Sequence, residues 1–242
     1  MQEMFDEIKR HFILNFISGE RWRFLVSGLG VTLRITFFAL LIGLVIGVVV
    51  AIVRSTYDKN AHKMDQGVGR FLLGFFNAIC KFYITVIRGT PVVLQLLIFY
   101  FVVLVSIKSG VIIGIITFGI NAGAYIAEIF RSGIMSIDNG QFEAGRSLGF
   151  NYIQTMRYII IPQAFKNTLP TLANEFIVLL KETAVVGYIA VQDLTKAGDI
   201  IRGRTFSAFM PLIAVALVYL SLVMFFTRLV GKLERRLRAN ER

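Results

Sequence analysis

The sequence predicts an all-α membrane protein of about five transmembrane helices with one short cytoplasmic helix between them. Three observations lead there. The 242 residues are 56% apolar, with 22 Phe and only 17% charged side chains, and the mean hydropathy of +0.70 exceeds what a soluble domain of this length can cover. Apolar stretches of the length a bilayer needs, about 20 residues for a hydrocarbon layer of about 30 Å, alternate with clusters of Lys and Arg. No sustained ten-residue alternation favours a β-barrel, and the four prolines leave room for long helices.

The N-terminal segment, residues 1–23, carries Glu3, Asp6 and Glu7 and lacks the basic start and small-residue cleavage site of a signal peptide. Its Phe5, Ile8, Phe12, Phe16 and Ile17 recur at helical spacing, with Glu7, Lys9, Arg10 and Asn15 largely on other faces. This predicts a juxtamembrane helix lying in the lipid interface. A transmembrane domain over 24–235 and a basic cytoplasmic tail over 236–242 follow.

Five spans are predicted, at roughly 24–53, 68–106, 111–131, 166–190 and 206–228. The second is too long for one straight crossing at about 1.5 Å per residue. Arg88-Gly89-Thr90-Pro91 breaks it, because proline removes a backbone donor and biases the residue before it away from helical angles. One broken span is expected, six crossings in total being the alternative. Two stripes at four-residue spacing, Gly43, Gly47 and Ala51 and then Gly119, Gly123 and Ala127, predict close helix contacts. The pattern leaves open whether these lie within one subunit or between two.

Basic residues set the orientation. Arg54, Lys59, Lys63 and Arg70 flank the first connection; Arg131, Arg146, Arg157 and Lys166 surround residues 138–162; Arg228, Lys232, Arg235, Arg236, Arg238 and Arg242 fill the tail. These segments are expected in the cytoplasm, which puts the N-terminus, the turn at Lys108 and the loop 191–205 outside. Membrane topology explains the net charge of +11 better than nucleic acid does, since the cations sit at the ends of apolar runs without interleaved aromatics. Arg34, near the outer end of the first span, has the length to snorkel to the interface.

Residues 138–162 form a polar island between apolar runs. Asp138 and Gln141 stand at capping-box spacing, and Gly149 offers a left-handed terminator, which predicts a helix over 139–149. Phe142, Gly145 and Gly149 fall along one side and Ala144 and Leu148 along the next, with Glu143 and Arg146 beside them. Such a ridge fits a partner's groove.

Inside the spans, Glu128, Glu175, Lys181 and Glu182 cost roughly 2.5 to 3.5 kcal/mol each at a helix centre without partners or water. Asn121, Tyr125 and Glu128 share one helical stripe, and Glu175 and Glu182 another. A path for a zwitterion needs cations or donors for a carboxylate and acceptors for an ammonium, and this inventory holds both. Lys181 and Arg88 are the candidates for the carboxylate, and Glu128, Glu182 or Glu175 for the ammonium or a basic side chain. Pro91 opens the helix where polar backbone lines a cavity. A gate or simple helix pairing would use the same residues. Cys80 stands alone, His11 and His62 meet no nucleophile or metal-ligand cluster, and no G-x-x-x-x-G-K-[S/T] loop occurs. No catalytic, cofactor or metal site is expected.

The run Glu143-Ala144-Gly145-Arg146-Ser147-Leu148-Gly149 with Ile159, Ile161 and Pro162 resembles the E-A-A, three residues, G, nine residues, I-x-L-P signature of ABC importer permeases. Gly145 replaces the second alanine and Ile161 the leucine. Three further segments resemble the polar amino-acid uptake branch: Arg88 to Pro91, Ala124 to Gly133, and Asn174 to Thr183. The resemblance covers most of 25–235. It implies a type I importer permease of a bacterial cytoplasmic membrane, paired with a second permease copy, identical or not, two ATPase subunits and an extracytoplasmic solute-binding protein. It also implies that Phe142, Glu143, Ala144, Gly145, Leu148, Gly149 and Pro162 belong to a coupling helix and its flank. ATP and magnesium would then be held by the partner ATPase, and the cargo would be a polar or charged amino acid. An ion-coupled secondary transporter using the intramembrane carboxylates as a proton relay is the competing reading.

Overall fold

In the computed structural model, which describes residues 1–60 and 67–239, the described residues are mostly helical, with short turns between the helices. Lys63, His62 and Arg242, named above for topology and chemistry, lie outside the described residues. The helices are α1 (Gln2–Phe12), α2 (Trp22–Asn60), α3 (Val68–Gly89), α4 (Val92–Ile98), α5 (Gly110–Met135), α6 (Asn139–Ser147), α7 (Tyr152–Thr155), α8 (Ile161–Glu182), α9 (Leu194–Thr205) and α10 (Phe209–Ala239). Among the described residues four helices are long and apolar enough to cross a bilayer: Trp22–Lys59, Val68–Gly89, Gly110–Met135 and Phe209–Leu237. The expected fifth span corresponds to α8. Its 22 residues suffice in length, but Lys166, Asn167, Asn174, Glu175, Lys181 and Glu182 make it far more polar than the others.

The break at Arg88 to Pro91 is present. α3 stops at Gly89, Thr90 is extended at φ −122° and ψ 146°, and the chain resumes as α4 with a π-helical turn over Phe99–Val103. Thr90 adopts the geometry that a following proline imposes.

The chain divides into two compact units, each described by itself: Met1–Ala39, Val92–Phe118 and Ile177–Arg228 form the first, and Leu40–Pro91, Gly119–Phe176 and Leu229–Arg242 the second.

In the first unit, Ile35, Leu96, Phe118, Leu179, Leu180 and Val186 are fully buried. Polar side chains close the joints between elements. The hydroxyl of Thr32 accepts from Leu194 N–H at 3.1 Å, and Asp193 caps α9 by accepting from Thr195 and Lys196 N–H at 3.0 and 2.9 Å. Gly28 lets α2 approach that cap, because a Cβ there would stand 2.5 Å from the Asp193 carbonyl oxygen. One expectation for the N-terminal segment is corrected here. Asn15, grouped with the polar face, is fully buried: Thr205 donates to its Oδ1 at 2.8 Å, and its Nδ2 donates to His11 O at 2.8 Å and Ser207 Oγ at 3.3 Å. A buried amide needs such partners; the last residue of α9, Thr205, supplies one across 190 residues and Ser207 just after it another. Phe5, Ile8, Phe12 and Ile17 are exposed, as an interfacial helix requires, whereas Phe16 is buried.

In the second unit the two small-residue stripes meet each other. A Cβ on Gly43 would lie 2.9 Å from Ala122 Cβ, and one on Gly47 would lie 2.5 Å from Ile126 Cγ2 and 3.0 Å from Ala127 N. Packing within one subunit is therefore the role of these glycines. Around this contact Val50, Ile84 and Ala127 are buried, with Ile46, Cys80 and Tyr83 against them. Cys80 is thus a packing residue, and the Tyr83 hydroxyl donates to the Ile120 carbonyl.

Candidate coupling segment and transport cavity

Both candidate sites lie in the second unit. The polar island folds as α6, with Asp138 accepting from Gly140 N–H at 2.6 Å and Gly149 at φ +78° closing it. Phe150 N–H donates to Gly145 O at 3.0 Å and Gly149 N–H to Arg146 O at 2.9 Å, which satisfies the last carbonyls of the helix. The capping box itself is elsewhere. Gln141 accepts from Gln163 instead of reaching back to Asp138, and the reciprocal pair forms at Asn151 and Gln154, with two bonds of 2.9 Å starting α7. The N-x-x-Q spacing of those two residues was readable in the sequence.

The ridge expected on α6 splits into two faces. Phe142 and Gly145 turn inward: Phe142 packs on Ile134, Ile137, Met156, Ile160 and Ala164, the Lys59 ammonium sits 3.6 Å from its ring centroid, and Gly145 is buried. Glu143, Ala144, Arg146, Ser147 and Leu148 face outward, Leu148 being 70% exposed. Gly149 and Pro162 are exposed too. Gly145 stands where the signature has alanine for a local reason. A Cβ there would meet Thr155 Cγ2 and Oγ1, both at 2.7 Å. A cleft of about 400 Å³ opens beside α6, lined by Lys59, Asn139, Phe142, Glu143, Arg146, Tyr152 and Thr155.

Between α7 and α8 the helical path widens into a π turn over Met156–Ile160. Pro162 follows directly. It cannot donate to residue 158 and its ring would crowd that carbonyl, so a wider turn just ahead of it relieves both problems.

Four of the expected pathway residues share one cavity of about 610 Å³. Arg88, Tyr125, Glu128 and Glu175 line it, with Arg131, Ser132, Ser136, Asn167, Thr168 and Thr171. α3 supplies Arg88, whose guanidinium lies 5.2 Å from the Tyr125 ring centroid; α5 supplies Tyr125 to Gly133, Ser136 follows in the turn after it, and α8 supplies Asn167 to Glu175. Arg131, read from the sequence only as a topology marker, is the hub of the charges. Its Nε and NH2 donate to Glu128 at 3.3 and 3.1 Å, and its NH1 donates to Asp58 of α2 at 3.4 Å. The Arg131–Glu128 spacing of three residues was visible; the reach to Asp58 across 73 residues was not.

The other expected residues are placed differently. Asn121 is buried one turn before Tyr125, at 3% exposure, and is not among the lining residues. Pro91 closes the first stretch of the second unit, Leu40–Pro91, and is not among the lining residues. Lys181 and Glu182 belong to the first unit, where Lys181 is exposed and Glu182 half-buried at the end of α8. Among the described residues no group of His, Cys, Asp and Glu is arranged to hold a metal ion.

These features coincide with a known pattern, since the family described as binding-protein-dependent transport system inner membrane component matches residues 67–239. The chain belongs to that family. Its relatives include a putative glutamine transport system permease protein of Rickettsia typhi, 36% identical over 220 residues that cover 90% of this chain and 94% of the relative. An arginine transport system permease protein of Bacillus subtilis is 35% identical, with the same two coverages of 90% and 94%. Among solved structures, an amino acid ABC transporter crystallised with histidines superposes with a TM-score of 0.78 at 39% identity, over 91% of this chain and 98% of that one. The methionine transporter MetNI in an inward-facing form gives a TM-score of 0.74 at 22% identity, over 89% and 97%, and shares the fold. This permease is thus an inner-membrane, multi-pass component of an ABC transporter for amino acids. The ion-coupled alternative falls with that assignment.

Proposed function

We propose that this permease couples ATP hydrolysis on a separate ATPase chain to movement of a polar amino acid through the Arg88–Glu175 cavity. The observation that carries this reading is the division of α6. One face, Phe142 and Gly145, is built into the permease, and the other presents Glu143, Ala144, Arg146 and Leu148 outward. A helix held on one face and free on the other transmits a push, because the packed face cannot yield without moving Ile134 on α5 and Ile160 ahead of α8. Those two helices carry the cavity's Glu128, Arg131 and Glu175. The chain contributes no bond chemistry; it converts a partner's closure into exposure of a binding site.

In this reading the segment 138–162 is cytoplasmic, the N-terminus lies outside and the C-terminus inside. A second permease copy and an extracytoplasmic binding protein complete the assembly. Glu143→Lys reverses the charge on the exposed face of α6 without touching its packing. The expected result is intact membrane insertion with ATP-driven uptake reduced by about tenfold or more, measured in proteoliposomes. Uptake unchanged by Glu143→Lys would refute the coupling role.

A further inference from the structure

The first unit carries an apolar surface that none of the described residues covers, and two segments distant in sequence meet there. α1 is the first. All of residues 2–10 are exposed, and so is Phe12. A helix of 11 residues that buries none of its own side chains is marginal in water, so the apolar row of Phe5, Ile8 and Phe12 needs cover from outside the chain. The second segment is the corner between α9 and α10. Phe206 is 96% exposed there and stands at φ +52°, in the left-handed region that a residue with a Cβ rarely adopts. In water a strained backbone that holds a phenyl ring out of the fold has no gain to offset it.

Asn15 joins the two segments. Thr205 donates to its Oδ1 at 2.8 Å and its Nδ2 donates to Ser207 Oγ at 3.3 Å, so the residues on both sides of Phe206 are bonded to the turn that follows α1. The surface then runs into helices that cross the bilayer. α10 begins at Phe209, just past the corner, with Phe209, Leu212 and Ile213 exposed, and α2 begins at Trp22 with Trp22 and Val26 exposed. Arginines edge it. The Arg23 guanidinium lies 5.7 Å from the Trp22 ring centroid, and that of Arg204 lies 4.7 Å from the Phe24 ring centroid with no ion pair among the described residues. An arginine on an aromatic ring at the end of a span suits the headgroup boundary, where its stem lies on apolar surface and its charge stays with the phosphates. A lipid interface covers every one of these side chains at once, because each lies at the end of a span; a protein partner covers only the patch it touches.

We infer that the corner at 205–208 is a lipid contact outside the spans, with Phe206 inserted at the boundary of the acyl chains beside α1, and that Asn15 makes the corner and α1 one body at the membrane surface. The end of α9 is thereby held at a fixed depth in the bilayer. The inference needs the membrane assignment alone, and neither the coupling role of α6 nor any cargo.

The test uses the full-length permease in nanodiscs of phosphatidylethanolamine and phosphatidylglycerol. Cys80 is the only cysteine, so a Cys80→Ser background lets Phe5→Cys, Asp6→Cys, Phe12→Cys and Phe206→Cys each carry one nitroxide label. Depth is read from collisions with oxygen, which concentrates in lipid, and with a water-soluble nickel chelate. The label at 206 is expected about 5 to 10 Å inside the headgroup boundary, level with those at 5 and 12, while the label at 6, on the other side of α1, stays in water. A label at 206 as open to the chelate as the one at 6 overturns the inference. A label at 206 shielded from both probes overturns it as well, because a second copy of the chain then covers the corner. Thr205→Val removes the donor to Asn15 at nearly the same volume, and it should widen the spread of depths at 12 while 206 remains in lipid. An unchanged spread at 12 overturns the joint body. Neither readout depends on uptake, so a failure of the Glu143→Lys experiment leaves both standing.

Discussion

The coupling segment and the transport cavity occupy the same compact unit but are assembled in opposite ways. In residues 138–162 most polar contacts close within five positions: Asp138 to Gly140, Phe150 to Gly145, Asn151 to Gln154. The cavity draws its wall from α3, α5 and α8 and ties Arg131 to Asp58 on α2. The segment's shape follows from its own short sequence, whereas the cavity exists only because distant helices pack without error. Errors in that packing should therefore damage the permease more than errors of similar size in α6.

The largest effect is expected where α2 crosses α5. Gly47→Leu must displace Ile126 and the backbone of Ala127, neither of which can move aside like a flexible side-chain tip. Overpacking of this kind costs about 3 kcal/mol or more when backbone is the obstacle. Thermal unfolding of the purified complex should show loss of folded permease or a fall in Tm of several degrees. If Gly47→Leu behaves like the unaltered protein, the close approach of these helices is not what holds the cavity together.

Next in size is Arg131→Gln, which leaves Glu128 and Asp58 without their shared cation. The groups are about a quarter to a third exposed, so water recovers part of the loss, and about 1 to 2 kcal/mol is expected. Uptake should fall further than stability does, because the freed carboxylates also disturb the cavity's charge. Equal losses would assign Arg131 a purely structural role.

How much of this was legible in the sequence follows the same division. The helix over 139–149, its Asp138 cap and its Gly149 stop depend on neighbours a few residues away, and the structure reproduces them. The break at Pro91 is a local backbone rule and was equally visible. Glu128 and Glu175 follow from the cost of charge in an apolar run, Tyr125 from the stripe it shares with Glu128 and Arg88 from the helix break beside it, and these four line one cavity; Lys181 and Glu182, marked by the same cost, belong to the other unit. Arg131 sits at a span's end, where a cation reads as a topology marker, and its partner Asp58 is fixed only by tertiary packing. Asn15 was assigned to the wrong face for the same reason. Helical periodicity placed it beside charged residues, and only the return of Thr205 and Ser207 explains why an amide is buried there. The inward turn of Phe142 and Gly145 was hidden as well, since a helical wheel orders faces without saying which one finds a neighbour.

A double substitution makes the local class measurable. Gly145→Ala should destabilise by about 1 kcal/mol, the steric cost against Thr155 being offset in part by alanine's better helix propensity. Thr155→Ala removes the methyl and hydroxyl that a Cβ at 145 would strike. The Thr155 hydroxyl is buried without a hydrogen-bond partner among the described residues, so its loss alone should be neutral or slightly stabilising. The pair together should recover most of the loss, a coupling seen as non-additive Tm shifts. Asn151→Ala, which abolishes the capping box, should cost about 1 kcal/mol with no rescue by Thr155→Ala. Additive behaviour at 145 and 155 would mean that the alanine-to-glycine departure from the family signature has another origin.

The smallest effect belongs to α9, where two carboxylates six residues apart respond to pH in opposite directions. Burial pushes the Asp193 carboxyl up, against the two backbone N–H groups that it caps. Asp199 is held below the usual carboxylate range by hydrogen bonds from Lys196 and Arg202. A depressed value means that the folded state favours the charged form, so the Asp199 contribution is fully present above its unfolded value of about 3.9 and disappears as pH falls through the lower folded one. Its side chain is 37% exposed, which limits the contribution to below about 1 kcal/mol. The Tm difference between the unaltered permease and Asp199→Asn should thus be small and positive at pH 7 and shrink toward zero as pH falls below the ordinary aspartate range. Asp193→Asn keeps an acceptor for the α9 cap while removing a buried charge, and its Tm at pH 7 should equal or exceed that of the unaltered protein. A clear loss of stability for Asp193→Asn would show that the charge, and not the cap, secures the start of α9.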